Sequence, residues 1–229
     1  MESVKVECLK KKLVVLDLNG VLADLVDPPP NDEIADAIVA GRIAIFKRPF
    51  YAEFLNFCFD NFEVGIWSAG KDNEVEAIVD YLLGENKNKL LFLWSYTDCT
   101  KASFNTPCKK KSSKFKDLRK IWDKQDPNLN FQKGYFNETN TLLIDDSPHK
   151  ALLNPPHTSI FPHSFHFLNK SDNSLGGGGD LTKYLNELAN VENIQKYVEE
   201  HPFGQQPITE TSPSWNFYFQ LLQSLSNSA

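Results

Sequence analysis

Three polar clusters in this chain each follow directly on an apolar run. Asp17 and Asn19 come after Leu13-Val14-Val15-Leu16, Ser68 after Val64-Gly65-Ile66-Trp67, and Asp145-Asp146 after Thr141-Leu142-Leu143-Ile144. Short continuous apolar runs read as strands covered on both faces, and parallel strands of that kind bring their carboxyl-end residues to one edge. Asp17, Asp145 and Asp146 in one crevice would repel each other unless a cation neutralised them. Oxygen ligands supplied partly by carboxylates are what Mg²⁺ prefers. Taken alone, Asp17-Leu18-Asn19-Gly20 is an ordinary turn. A capping role suits one of Asp145 and Asp146, but not easily both.

Between these clusters the pattern alternates strands and helices, which predicts an α/β fold: an open, mostly parallel sheet with helices on both faces. Asn31 or Asp32 is expected to cap a short helix through Ala40, ended by Gly41. Ile43 to Phe46 reads as a strand, and Pro49 opens a helix to about Asn61. Val75, Ile78, Val79 and Leu82 are spaced three and four apart, an amphipathic helix behind Asp72. Leu90 to Trp94 is a strand. Ser95 to Lys114 reads as irregular, with Lys109, Lys110, Lys111 and Lys114 as solvated surface or a contact for an acidic partner. Leu118, Ile121 and Trp122 mark a short helix, Thr158 to Ile160 an edge strand, and Gly176 to Gly179 a turn. Two helical stripes follow, Leu181 to Leu188 and Ile194 to Val198, then a packed segment around Trp215 to Leu222. One domain, 1–229, is expected, with its catalytic core over about 12–168 and a helical extension over about 180–225.

At 229 residues, 41% hydrophobic and 24% charged, the composition is that of a globular protein. A net charge of −6 argues against a duplex nucleic-acid binder, which needs a basic footprint. No apolar run approaches the roughly 20 residues of a membrane span. Residues 1–12 lack the apolar run of a secretory signal, so an intracellular location, nucleus or cytoplasm, is expected. Cys8, Cys58, Cys99 and Cys108 suit a reducing compartment, follow no zinc spacing, and in the case of Cys58 read as a buried small hydrophobe.

Four stretches, in order, resemble the signatures of the haloacid dehalogenase-like phosphatases: Val14 to Leu22, Gly65 to Ala69, Lys116 within Phe115-Lys116-Asp117-Leu118, and Leu143 to Pro148. Phe46-Lys47-Arg48-Pro49, Trp67 beside Ser68, and Asp145-Asp146-Ser147-Pro148 are similar to the small-cap branch that includes phosphatases of the RNA polymerase C-terminal tail. Plant members look closest, through Ser147 to Ser164, Phe203-Gly204-Gln205 and Trp215 to Tyr218. The resemblance implies Asp17 as nucleophile and Mg²⁺ held by Asp17, the Asn19 backbone carbonyl, Asp145 and Asp146. It also implies phosphate or substrate contacts from Ser68, Ala69, Lys116, Arg48 and Trp67; Lys114 is the nearest rival of Lys116. No large cap is evident, and an open site suits a phosphorylated protein segment, with a small phosphate ester as the other substrate class.

One position departs from the pattern. Active members carry a second Asp two residues after the nucleophile, where this chain has Asn19. That carboxyl protonates the leaving oxygen and later takes a proton from water; an amide does neither. Two readings follow: a phosphomonoesterase with weakened hydrolysis, or a phosphate- or partner-binding protein that no longer turns over.

Overall fold

The computed structural model describes residues 11–106 and 109–226, so Cys8, Pro107 and Cys108 lie outside the described residues. In chain order, β1 (Leu13–Leu16) is followed by β2 (Ala23–Val26), β3 (Ala37–Val39), β4 (Ile43–Lys47), α1 (Tyr51–Asn61), β5 (Glu63–Trp67), α2 (Asp72–Leu83) and β6 (Phe92–Trp94). Then come β7 (Thr100–Asn105), β8 (Lys110–Phe115), α3 (Arg119–Trp122), β9 (Thr141–Ile144), β10 (Ser159–Ile160), α4 (Asp180–Leu188), α5 (Ile194–Glu200) and α6 (Trp215–Ser226).

Five of these strands form one parallel sheet in the order β10-β9-β1-β5-β6. The expected α/β architecture is therefore present. β1 lies in the middle, with Leu16 level with Ile66 of β5 on one side and Ile144 of β9 on the other. Strand order reverses there, which opens a crevice beyond the three carboxyl ends. The pleat sends alternate residues to opposite faces. Val14, Leu16, Ile66, Leu142 and Ile144 pack on one side with Phe54, Val75, Ile78, Val79, Leu181, Leu185 and Ile194 of α1, α2, α4 and α5. Leu13, Val15, Trp67 and Leu143 face the other way, toward Leu118, Ile121, Trp122 and Phe136. Each fully buried aliphatic or aromatic side chain of this kind contributes roughly 1.5–3 kcal/mol, so the sheet edge that carries the polar clusters is held from both sides.

Two expectations are corrected. The segment before Gly41 is not a helix; β3 pairs antiparallel with β4 inside a three-stranded sheet, β2-β4-β3. Ala40 and Gly41 both have positive φ, 49° and 70°, and the Arg42 N–H donates to the Val39 carbonyl at 3.2 Å. That is the primed turn of a hairpin, and a glycine after an apolar stretch signals such a turn as readily as a helix end. Nor is the segment from Ser95 to Lys114 irregular throughout. β7 and β8 form an antiparallel hairpin from Thr100↔Phe115 to Asn105↔Lys110. Its Ala102, Phe104 and Phe115 face is covered by Phe217, Leu221 and Leu222 of α6, a partner far along the chain.

Candidate active site

Asp17 leaves the end of β1 and Asp145 the end of β9, so the two emerge side by side. Asp146 joins them because Gly20 makes room. A Cβ on Gly20 would sit 2.1 Å from the Asp146 Oδ2, and Gly20 also has a φ of +74°, so only glycine fits this turn without displacement. One ligand oxygen from each of Asp17, Asp145 and Asp146 lies within 4.8 Å of the others. Ser147 fastens the second pair: its N–H donates to the Asp145 Oδ1 at 2.9 Å and its hydroxyl to the Asp146 Oδ1 at 2.9 Å.

Lys116 stands behind this cluster, with 0% of its surface exposed. Its Nζ is 2.5 Å from the Asp145 Oδ2 and 3.1 Å from the Asp17 Oδ1. The Lys116 N–H donates to the Lys150 carbonyl (2.8 Å) and its own carbonyl accepts from the Asn154 Nδ2 (2.9 Å), so the main chain on both sides is pinned. Lys114, the rival candidate, reaches the Ala69 carbonyl instead, at 2.9 Å. Ser68 follows β5, its N–H held by the Trp94 carbonyl at 2.9 Å. Asn19 is held through its Oδ1, which accepts the Leu25 N–H at 2.8 Å. That leaves the NH₂ as the remaining hydrogen-bonding group of the amide, and it is a donor only.

These groups border a crevice of about 410 Å³, lined among others by Asp17, Asn19, Ser68, Ala69, Asp146 and Lys150. A larger cavity of about 540 Å³ lies beside Pro148, walled by Pro155, Phe161, Phe203 and Trp215. It contains none of the clustered carboxylates, and the chemistry follows them rather than the volume. Two expected phosphate contacts lie elsewhere. Arg48 is buried, its guanidinium bound to Asp172 at 2.8 and 2.9 Å and to the Gly20 and Val21 carbonyls. It braces the turn after Asp17 from behind. Trp67 is wholly buried against Trp94, ring centroids 4.8 Å apart, on the far side of the sheet from α2.

His149 and Lys150 also line the crevice and were not legible beforehand; their only signal is that they follow Ser147-Pro148 immediately. Burial, with the Lys150 charge adding to it, holds the His149 imidazole down to about 4, so it is neutral at pH 7. Burial also lowers Lys150 from the ordinary lysine range.

Burial dominates the Asp17 carboxyl too, pushing it up to about 7. Lys116 pulls it down, and Asp145 and Asp146 push it up further. Among the described residues Lys116 is the one ion-pair partner within 4 Å of the three carboxylates. Three acids against the Lys116 ammonium, with Lys150 at the crevice wall, leave a buried cluster of carboxylate oxygens short of positive charge, which suits a hard divalent cation. The residues present therefore fit Mg²⁺. A test follows from the sign of the Asp17 shift. Between its ordinary value near 4 and about 7, the folded protein keeps a proton that the unfolded chain has released. Stability of the metal-free protein is thus expected to fall as pH rises through that window. Mg²⁺ competes with the proton for the carboxylates, so saturating Mg²⁺ should raise Tm more at pH 8 than at pH 5. Equal shifts in a thermal melt would remove Asp17 from the metal site.

The sequence profile of the NLI interacting factor-like phosphatases matches residues 12–195. The chain belongs to this family. It is 28% identical over 200 residues to an uncharacterised FCP1 homology domain-containing protein of Schizosaccharomyces pombe, covering 84% of this chain and 78% of that protein. It is 28% identical over 195 residues to the ubiquitin-like domain-containing CTD phosphatase 1 of Gallus gallus, covering 83% of this chain and 54% of that one. The chain thus spans about half the length of the CTD phosphatases it matches. The fission yeast RNA polymerase II CTD phosphatase Fcp1, bound to beryllium fluoride, aligns over 93% of this chain and 62% of its own, with a TM-score of 0.45 and 14% identity. The relatives named here are fungal and vertebrate; likeness to plant members stays an expectation from the sequence. No helix among the described residues is long and apolar enough to cross a membrane.

Proposed function

We propose that this family member is a Mg²⁺-dependent phosphomonoesterase that forms an aspartyl-phosphate on Asp17, with a phosphoserine or phosphothreonine segment of a protein as substrate. The observation that carries the reading is the junction of Asp17, Asp145 and Asp146 around the buried Lys116 ammonium, beside Ser68. Mg²⁺ held by the three carboxylates and the Asn19 backbone carbonyl would offset the repulsion between an anionic nucleophile and a phosphate dianion. The chain's own residues do the rest. An Asp17 oxygen attacks phosphorus as the bond to the leaving oxygen breaks. Lys116 steadies the charge on Asp17, while Ser68, whose hydroxyl accepts the Gly70 N–H, and the N–H of Ala69 orient the phosphoryl oxygens. Water then attacks the phosphorus and frees Asp17.

Both proton transfers need a group at position 19 that accepts and donates. The Asn19 side chain offers an oxygen already engaged by Leu25 and an NH₂ that is not acidic. This favours slow hydrolysis, and it also supports the second reading, a phosphate-binding protein without turnover. The first half-reaction, read as kcat/KM, should therefore be faster on an aryl phosphate, whose leaving group departs without a proton, than on a phosphoserine peptide by about 10²–10⁴-fold in saturating Mg²⁺. Activity on neither, with the fold intact and phosphate still bound, would leave only the binding protein.

A further inference from the structure

The lysines of the β7–β8 hairpin are not a uniform solvated surface. Cross-strand pairing sets Lys101 directly opposite Lys114, and alternation puts both on the face turned away from α6. Like charges facing each other across a ladder are unfavourable unless something anionic joins them. Both converge on Tyr96: the Lys101 ammonium lies 4.3 Å from the ring centroid and that of Lys114 5.1 Å. Among the described residues neither forms a salt bridge, although seven other lysines do. In a chain of net charge −6, two convergent ammoniums without a carboxylate are a local exception.

Their position relative to the crevice gives the pair a use. Lys114 donates to the Ala69 carbonyl at 2.9 Å, and the Tyr96 N–H donates to the Gly70 carbonyl at 2.9 Å. Ala69 and Gly70 both line the crevice beside Ser68. Two hydrogen bonds therefore tie the lysine pair to Ala69 and Gly70 at the rim of the crevice that holds Asp17 and Ser68.

We infer that Lys101 and Lys114, on the Tyr96 ring, form a subsite for a second phosphoryl group on the same polypeptide, so that the preferred substrate carries at least two phosphates. The inference rests on the phosphatase reading and specifies its substrate. A phosphate dianion suits the pair better than a carboxylate, because two ammoniums meet two negative charges on one group. Both ammoniums are held near the Tyr96 ring by cation–π attraction.

Binding measures this independently of turnover. Fluorescence anisotropy would compare labelled phosphoserine peptides, with a second phosphoserine placed one to five residues away on either side, on the full chain in Mg²⁺. At one spacing the doubly phosphorylated peptide should bind about 10-fold tighter than the singly phosphorylated one, the worth of two partly exposed charge pairs. That advantage should shrink as salt is raised. Lys101→Glu should abolish it while leaving singly phosphorylated affinity and aryl phosphate turnover unchanged. Equal affinity of singly and doubly phosphorylated peptides at every spacing would overturn the subsite, as would an advantage that survives Lys101→Glu. A glutamate serving as well as the second phosphoserine would overturn the assignment to phosphate. Aryl phosphate turnover tests the phosphatase reading separately, so the failure of one is distinguishable from failure of the other.

Discussion

On the phosphatase reading, Asp17→Asn is expected to lower phosphate-ester turnover by about 10⁴-fold or more, because both half-reactions would pass through that carboxylate. No phosphorylated protein should then be seen by intact mass after acid quench. The fold should survive the change. Asp17 is a carboxyl whose ionised form burial disfavours, and an amide of the same shape removes that penalty. Lys116 retains Asp145 at 2.5 Å as its partner, so no ammonium is left unpaired. An unchanged or raised Tm together with lost turnover separates a chemical defect from a structural one. Turnover at the parent rate would place the nucleophile elsewhere.

Asn19→Asp is expected to raise turnover of an alkyl phosphate by about 10²–10⁴-fold, the usual worth of a positioned acid–base group. The gain should be smaller for an aryl phosphate, which leaves without a proton. Local geometry favours the exchange: the Leu25 N–H that now donates to the Asn19 Oδ1 at 2.8 Å can donate to a carboxylate oxygen in the same place. That fixes one oxygen and leaves the other for the leaving group. A fourth acid joins Asp17, Asp145 and Asp146, so the metal-free protein should melt lower than its parent, and Mg²⁺ should restore it. The check is kcat/KM for paired alkyl and aryl esters in saturating Mg²⁺. An alkyl-ester rate that does not move would show that proton transfer at this position is not limiting, and would favour the binding-protein reading.

The amino-acid sequence by itself determined the framework of the site. Apolar runs ending at Asp17, Ser68 and Asp145 are local patterns, and a buried parallel sheet is nearly the one arrangement in which such runs cover both faces. The asparagine two residues after Asp17 was equally legible, because it is a matter of residue type at a fixed spacing. The hairpins were not. Gly41 and the Ser95 to Lys114 stretch are short, polar segments whose conformation depends on pairing with a neighbour, β4 in one case and α6 behind the β7–β8 ladder in the other.

Tertiary structure also decided between lysines two residues apart. Lys114 still belongs to β8, where alternation turns it outward opposite Lys101. Lys116 lies just past the strand end, free of that alternation, and long-range hydrogen bonds with Lys150 and Asn154 turn it inward to Asp17 and Asp145. Arg48 and Trp67 carry the right residue types beside the right signatures. Asp172, far along the chain, claims the first, and the Trp94 ring packs against the second. Charge balance in the crevice likewise depends on which groups meet, because burial and proximity decide it rather than the residue count.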